Sequence, residues 1–107
     1  MKPVYTVVET AAFQAMASDV WDEETRLDFV GFIAENPLAG DVIPETGGAR
    51  KVRWQASGRG KRGGSRVIYF NQLDDDLIVL LAVYAKNEAE NIPRKAAKRL
   101  KDEAERH

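Results

Sequence analysis

The stretch Gly47–Phe70, GGARKVRWQASGRGKRGGSRVIYF, decides how this chain folds. Lys51-Val52-Arg53-Trp54 alternates polar and apolar, Ser65 to Asn71 is rich in β-branched and aromatic residues, and the glycine-rich Ser57 to Gly64 lies between them. The pattern predicts two antiparallel strands joined by a long, flexible hairpin tip. From Arg50 to Arg66 it carries seven bases (Arg50, Lys51, Arg53, Arg59, Lys61, Arg62, Arg66) and no acid. The flanks have the opposite balance: Met1 to Ala49 holds nine carboxylates against Lys2 and Arg26, and Val67 to His107 holds eight against seven bases. A net charge of -1 therefore conceals a polarised molecule. A cationic segment on an acidic chain calls for a polyanionic partner, nucleic acid first among them.

Working outward, Asn71 to Asp76 reads as a turn, and Leu77 to Tyr84 is apolar on both alternating faces, as a central strand covered on each side must be. Pro93 then opens a helix whose stripe is Ile92, Ala96, Leu100 and Ala104. On the other flank Leu38 to Gly48 reads as a loop. Before it lies a helix ending at Asn36-Pro37, with Leu27, Val30, Ile33 and Ala34 as its buried face and Phe29 and Phe32 beside it. Asp19 and Asp22 resemble a capping pair for that helix, and Asp22-Glu23-Glu24 suit its positive end. Thr10 caps a shorter helix marked by Phe13, Met16 and Ala17, and Val4 to Val8 is a first strand. The order β-α-α-β-β-β-α predicts a single α+β domain over residues 1–107. It is a small two-layer sandwich with a four-stranded, mostly antiparallel sheet, two N-terminal helices and one C-terminal helix.

With 44% hydrophobic and 31% charged residues the composition is that of a soluble globule rather than a disordered chain. No apolar run reaches membrane-spanning length and no signal-like segment follows Met1, so a cytoplasmic location is expected. The absence of cysteine, with one histidine at position 107, disfavours thiolate and His-based metal sites and Cys or Ser-His hydrolases. No cofactor or metal is implied.

Gly58-Arg59-Gly60-Lys61-Arg62-Gly63 formally matches a dinucleotide-binding glycine motif, but it precedes a strand where that motif must open a helix. Gly60-Lys61 fails as a phosphate-binding loop for the same reason, and Arg62 stands where Ser or Thr is required. Asp74-Asp75-Asp76 reads as a polar turn, since consecutive turn residues rarely converge on one ion. Lys51 and Arg53 point to one side of their strand about 7 Å apart, close to the spacing of successive phosphates. Val52 and Trp54 take the other side, toward the core. Arg66 shares its face with Ile68 and Phe70 and must leave the core edge or be paired there. Tyr84, followed by Lys86, is a rim tyrosine that could act as a base only where nearby cations lower its pKa from near 10.

Four blocks then resemble a known family: Gly40-Asp41-Val42-Ile43-Pro44, Thr46 to Arg53, Gly60 to Tyr69, and Tyr84-Ala85-Lys86-Asn87-Glu88. Together they are similar to the HigB branch of the RelE-like toxins of bacterial type II toxin-antitoxin modules, over about Gly40 to Asn91. The resemblance implies a ribosome-dependent mRNA endoribonuclease that enters the ribosomal A site and inhibits translation. It also implies a cognate antitoxin, often of helix-turn-helix type. Lys51 and Arg53 match the family's basic pair on its second strand, Arg66 the arginine beginning its third, and Lys86 a base after the last strand. RelE itself has a further arginine and a C-terminal tyrosine here. This chain has Asn87 and Ile92-Pro93 instead, and Tyr84 stands in as the proton acceptor.

Metal-free RNA cleavage requires a base for the 2′-OH, cations for the dianionic phosphorane and an acid for the leaving 5′-oxygen. Lys51, Arg53, Arg66, Tyr84 and Lys86 form the expected catalytic set. Arg50, Arg59, Lys61 and Arg62 are expected to grip mRNA and ribosomal RNA backbone. Two rivals share these features: a ParE-like gyrase inhibitor of the same fold, and a non-catalytic RNA-binding module. The second would be expected to stack bases on aromatics, yet the basic segment offers only Trp54, which faces the other way.

Overall fold

The computed structural model describes residues 4–55, 64–85 and 94–105. Strand β1 (Thr6–Glu9) is followed by α1 (Ala11–Val20) and α2 (Glu23–Glu35), then β2 (Asp41–Val42), β3 (Arg50–Trp54), β4 (Ser65–Gln72), β5 (Leu77–Ala85) and α3 (Arg94–Glu105). The sheet has five strands in the order β1-β5-β4-β3-β2. The β1–β5 pair is parallel and the rest antiparallel. The fifth strand is β2, two residues inside the segment read as a loop, where Asp41 and Val42 pair with Lys51 and Arg50.

Local chemistry sets the ends of the two N-terminal helices. Thr10 caps α1, its hydroxyl accepting from Phe13 N while donating to the Leu80 carbonyl at 2.8 Å, which ties the helix start to β5. Asp19 lies inside α1, so the expected Asp19–Asp22 pair does not form. Asp22 alone caps α2 by accepting from Thr25 N at 2.8 Å. Asn36, whose side chain donates to the Phe32 carbonyl, closes α2 before Pro37. Arg26 links α2 to β1 through Glu9 and also pairs with Glu23 one turn back.

Two apolar clusters sit on opposite faces of the sheet. The first joins Phe13, Ala17 and Trp21 to Phe29 and Ile33 of α2 and to Val52, Val67, Tyr69, Ile78, Leu80 and Val83. Leu27 is 54% exposed while Phe29 is fully buried, which turns α2 from its predicted face. The cause is aromatic packing: Phe29 lies 5.4 Å from both Trp21 and Trp54, contacts worth more than the leucine's burial. Met16, also placed on a buried face by spacing, is 37% exposed. The second cluster holds Ala49, Ile68, Phe70, Val79, Leu81, Ala82 and Tyr84, with Leu100 of α3 against it. Of the stripe predicted for α3, Ile92 and the side chains of Ala96 and Ala104 lie outside the described residues. Lys101 is buried beside Leu100, its ammonium 5.3 Å from the centre of the Phe70 ring. As expected of the strand in that place, β5 is buried on both faces along nearly its whole length.

Candidate active site

Strand register brings four of the predicted residues together. Arg53 on β3 stands opposite Arg66 on β4, and Arg66 stands opposite Tyr84 on β5. At the usual strand spacing the Arg53 and Tyr84 Cα atoms are about 10 Å apart, with Arg66 between them. Lys51 starts the next row on the same face, opposite Ile68, which is opposite Ala82. Arg53 is exposed, Lys51 and Arg66 are half-buried, and Tyr84 is only 6% exposed. The phenol thus lies deepest and Arg53 outermost. None of these three strands carries an aspartate or glutamate, and the neighbouring edge strand β2 brings one carboxylate, Asp41, opposite Lys51.

Plain alternation would not put Tyr84 there. Ile78 and Leu80 face the α1 and α2 side, and an unbroken β5 would send Ala82 and Tyr84 with them. Pairing steps from Ile68↔Ala82 to Tyr69↔Leu80, which leaves Leu81 as an extra residue on β5. Leu81 and Ala82 both join the second cluster, Val83 returns to the first, and Tyr84 emerges beside Arg66. Sequence reading missed this bulge.

The fold that holds this row has known counterparts. A chain of the toxin-antitoxin complex RelBE2 from Mycobacterium tuberculosis matches with a TM-score of 0.63 at 19% identity, over 79% of this chain and 94% of that one. The E. coli toxin RelE, solved free as a double arginine mutant, matches with a TM-score of 0.61 at 12% identity, over 92% and 97%. This chain has the RelE-like toxin fold. No protein-family model matches it.

Within the RelE-like fold, the row is fixed from behind. Trp54, next to Arg53, packs its ring 4.9 Å from Phe32 and 5.4 Å from Phe29. Ser65, next to Arg66, is buried and accepts a hydrogen bond from the Trp21 indole at 2.9 Å. Gly64 turns the chain into β4 with a φ of +64°, and a Cβ there would stand 2.7 Å from the Trp54 carbonyl. The Trp54 indole nitrogen is buried without a hydrogen-bond acceptor among the described residues.

Not every candidate joins the row. Arg50 alternates with Lys51 toward the α1 and α2 side, where its guanidinium donates to the Gly40 carbonyl at 2.6 Å. Gly40 N in turn donates to the Tyr69 hydroxyl, which donates to the Pro37 carbonyl. These bonds fasten the α2–β2 connection to the sheet. Burial pushes the Tyr69 phenol pKa above its ordinary 10.0, against the pull of the Gly40 hydrogen bond and the Arg50 charge. Arg59, Lys61, Arg62 and Lys86 lie outside the described residues.

Proposed function

We propose that this chain is the toxin of a type II toxin-antitoxin module, of the HigB branch, acting as a metal-independent endoribonuclease on mRNA in the ribosomal A site. The carrying observation is the in-register row Arg53–Arg66–Tyr84 with Lys51 beside it, on strands without carboxylates. The RelE-like fold and the four sequence blocks agree with it.

In this reading a phosphodiester lies across the row. Arg53 and Arg66 clamp its non-bridging oxygens and stabilise the charge that builds on the phosphorane. Tyr84, acting as its phenolate beside the Arg66 guanidinium, takes the proton of the 2′-OH and becomes the neutral phenol as the 2′-oxygen bonds to phosphorus. Lys51 or Lys86 protonates the 5′-oxygen as the P–O5′ bond breaks, leaving a cyclic phosphate and a free 5′-hydroxyl. Arg50, Arg59, Lys61 and Arg62 are assigned to phosphate backbone of mRNA or ribosomal RNA, contacts that add affinity without reading sequence. A histidine-free set of this kind depends on the ribosome to hold the nucleotide in an attack geometry, so naked RNA is cut weakly.

The antitoxin, assigned to the helix-turn-helix type, is given the groove of about 450 Å³ between β1, β5 and α3. Its walls include Val8, Val79, Leu81 and Leu100, an apolar lining suited to an amphipathic helix. The cytoplasm, where translating ribosomes are, is the expected site of action. No helix among the described residues is long and apolar enough to cross a membrane.

The test is purified protein added to translating ribosomes, with primer extension on the message. New ends inside codons, lost on joint neutralisation of Lys51, Arg53 and Arg66 in a folded protein, support the reading. Intact messages in the presence of wild-type protein overturn it, and DNA damage in expressing cells would then point to gyrase.

A further inference from the structure

We infer that Trp21 and Ser65, on the side of the sheet away from the cations, are positioning residues that set Arg66 against Arg53 and Tyr84. The inference rests on the reading of that row as the phosphate-binding cleft. Three observations carry it. The Trp21 indole N–H to Ser65 hydroxyl bond, at 2.9 Å, joins residues far apart in sequence, and both side chains are buried. Ser65 pairs with Trp54 on one side and Ala85 on the other, so its row lies directly beside the row of Arg53, Arg66 and Tyr84. Ser65 is also the first residue of β4, immediately after a glycine of positive φ, where strand pairing alone constrains the chain least.

Trp21 is itself held, its ring 6.1 Å from Phe13 and 5.4 Å from Phe29. The indole is therefore a fixed donor at the end of α1, and its bond reaches through the core to the base of the hairpin. Without that bond the start of β4 keeps its backbone pairing but loses the side-chain contact that fixes its twist. Arg66, one residue on, then samples more orientations. A guanidinium displaced by an ångström at a developing phosphorane lowers turnover more than binding, because ground-state phosphate contacts tolerate the shift and transition-state contacts do not.

The experiment uses the full chain with Ser65→Ala, Trp21→Phe and the double variant. Nitrogen relaxation of the Arg66 Nε–H group reads its order, and single-turnover cleavage of ribosome-bound message reads rate and affinity. The expected result is a lower Arg66 order parameter in each single variant and a kcat loss on the order of tenfold with KM unchanged. The double variant should be no worse than the worse single one, since both remove the same bond. Unchanged Arg66 order in a folded Ser65→Ala protein overturns the inference, as does a loss that moves kcat and KM together in step with the melting temperature. Wild-type protein that leaves ribosome-bound message intact sinks the nuclease reading instead, and the Arg66 order parameter still decides the positioning role.

Discussion

Arg66 occupies the centre of the row, and its neighbours on both sides are fixed by register rather than by side-chain freedom. Arg66→Ala is therefore expected to lower the rate of message cleavage on ribosomes by about 10²–10³-fold, the usual cost of a lost transition-state donor, while RNA affinity falls far less. Primer extension against a filter-binding curve separates the two. Tyr69 carries the opposite kind of hydroxyl, buried and bonded at both its lone pair and its proton. Tyr69→Phe removes the acceptor of Gly40 N, while the Pro37 carbonyl keeps its bond from the Asn71 amide, and should cost about 1–3 kcal/mol in urea unfolding. The same phenol makes stability depend on alkaline pH. Its pKa is raised in the fold, so the unfolded chain gives up this proton first. The contribution is whole below the unfolded value near 10 and is lost as pH rises through the folded value. Ultraviolet titration should show one tyrosine ionising late, coincident with unfolding.

Among the elements, those with short-range causes were legible. The Thr10 cap, the stop at Asn36-Pro37, the strands around the glycine-rich segment and the buried β5 all follow from residues within one turn or one strand of the feature. Features that depend on distant contacts were not. Phe29 displaced Leu27 from the core because Trp21 and Trp54, remote in sequence, surround it. The two-residue β2 exists because Gly40 can lie against β3, where a Cβ would stand 2.7 Å from the Lys51 carbonyl oxygen. The Lys51–Arg53 pairing on one face was readable from alternation, but Tyr84 sits at the end of an apolar run in which no polar residue marks the phase. Two substitutions test this account. Gly40→Ala should cost about 1–3 kcal/mol through overpacking against backbone, and the cost should appear as a lower denaturation midpoint. Asp22→Ala should cost about 1 kcal/mol by removing the α2 cap, visible in the same measurement.

At the scale of the molecule, charge is sorted by face as well as by sequence. The cationic row occupies one side of the sheet, while α1 and α2, which carry Asp19, Glu23, Glu24 and Asp28, cover the other. Binding to single-stranded RNA should weaken steeply with salt. Replacing Lys51, Arg53 and Arg66 by neutral residues should flatten the log–log slope by about 0.7 for each phosphate contact removed, as read by titrating affinity against potassium chloride. The extra residue Leu81 adds a last consequence. It exchanges the faces of the even- and odd-numbered residues along β5, so that Ile78 and Leu80 point to the α1 and α2 side while Tyr84 points to the other. A protein of this shape built without that insertion would turn a different side chain toward Arg66 at the same address. Counting residues from the β4–β5 turn to the tyrosine therefore gives a simple way to sort such proteins by the chemistry they can perform.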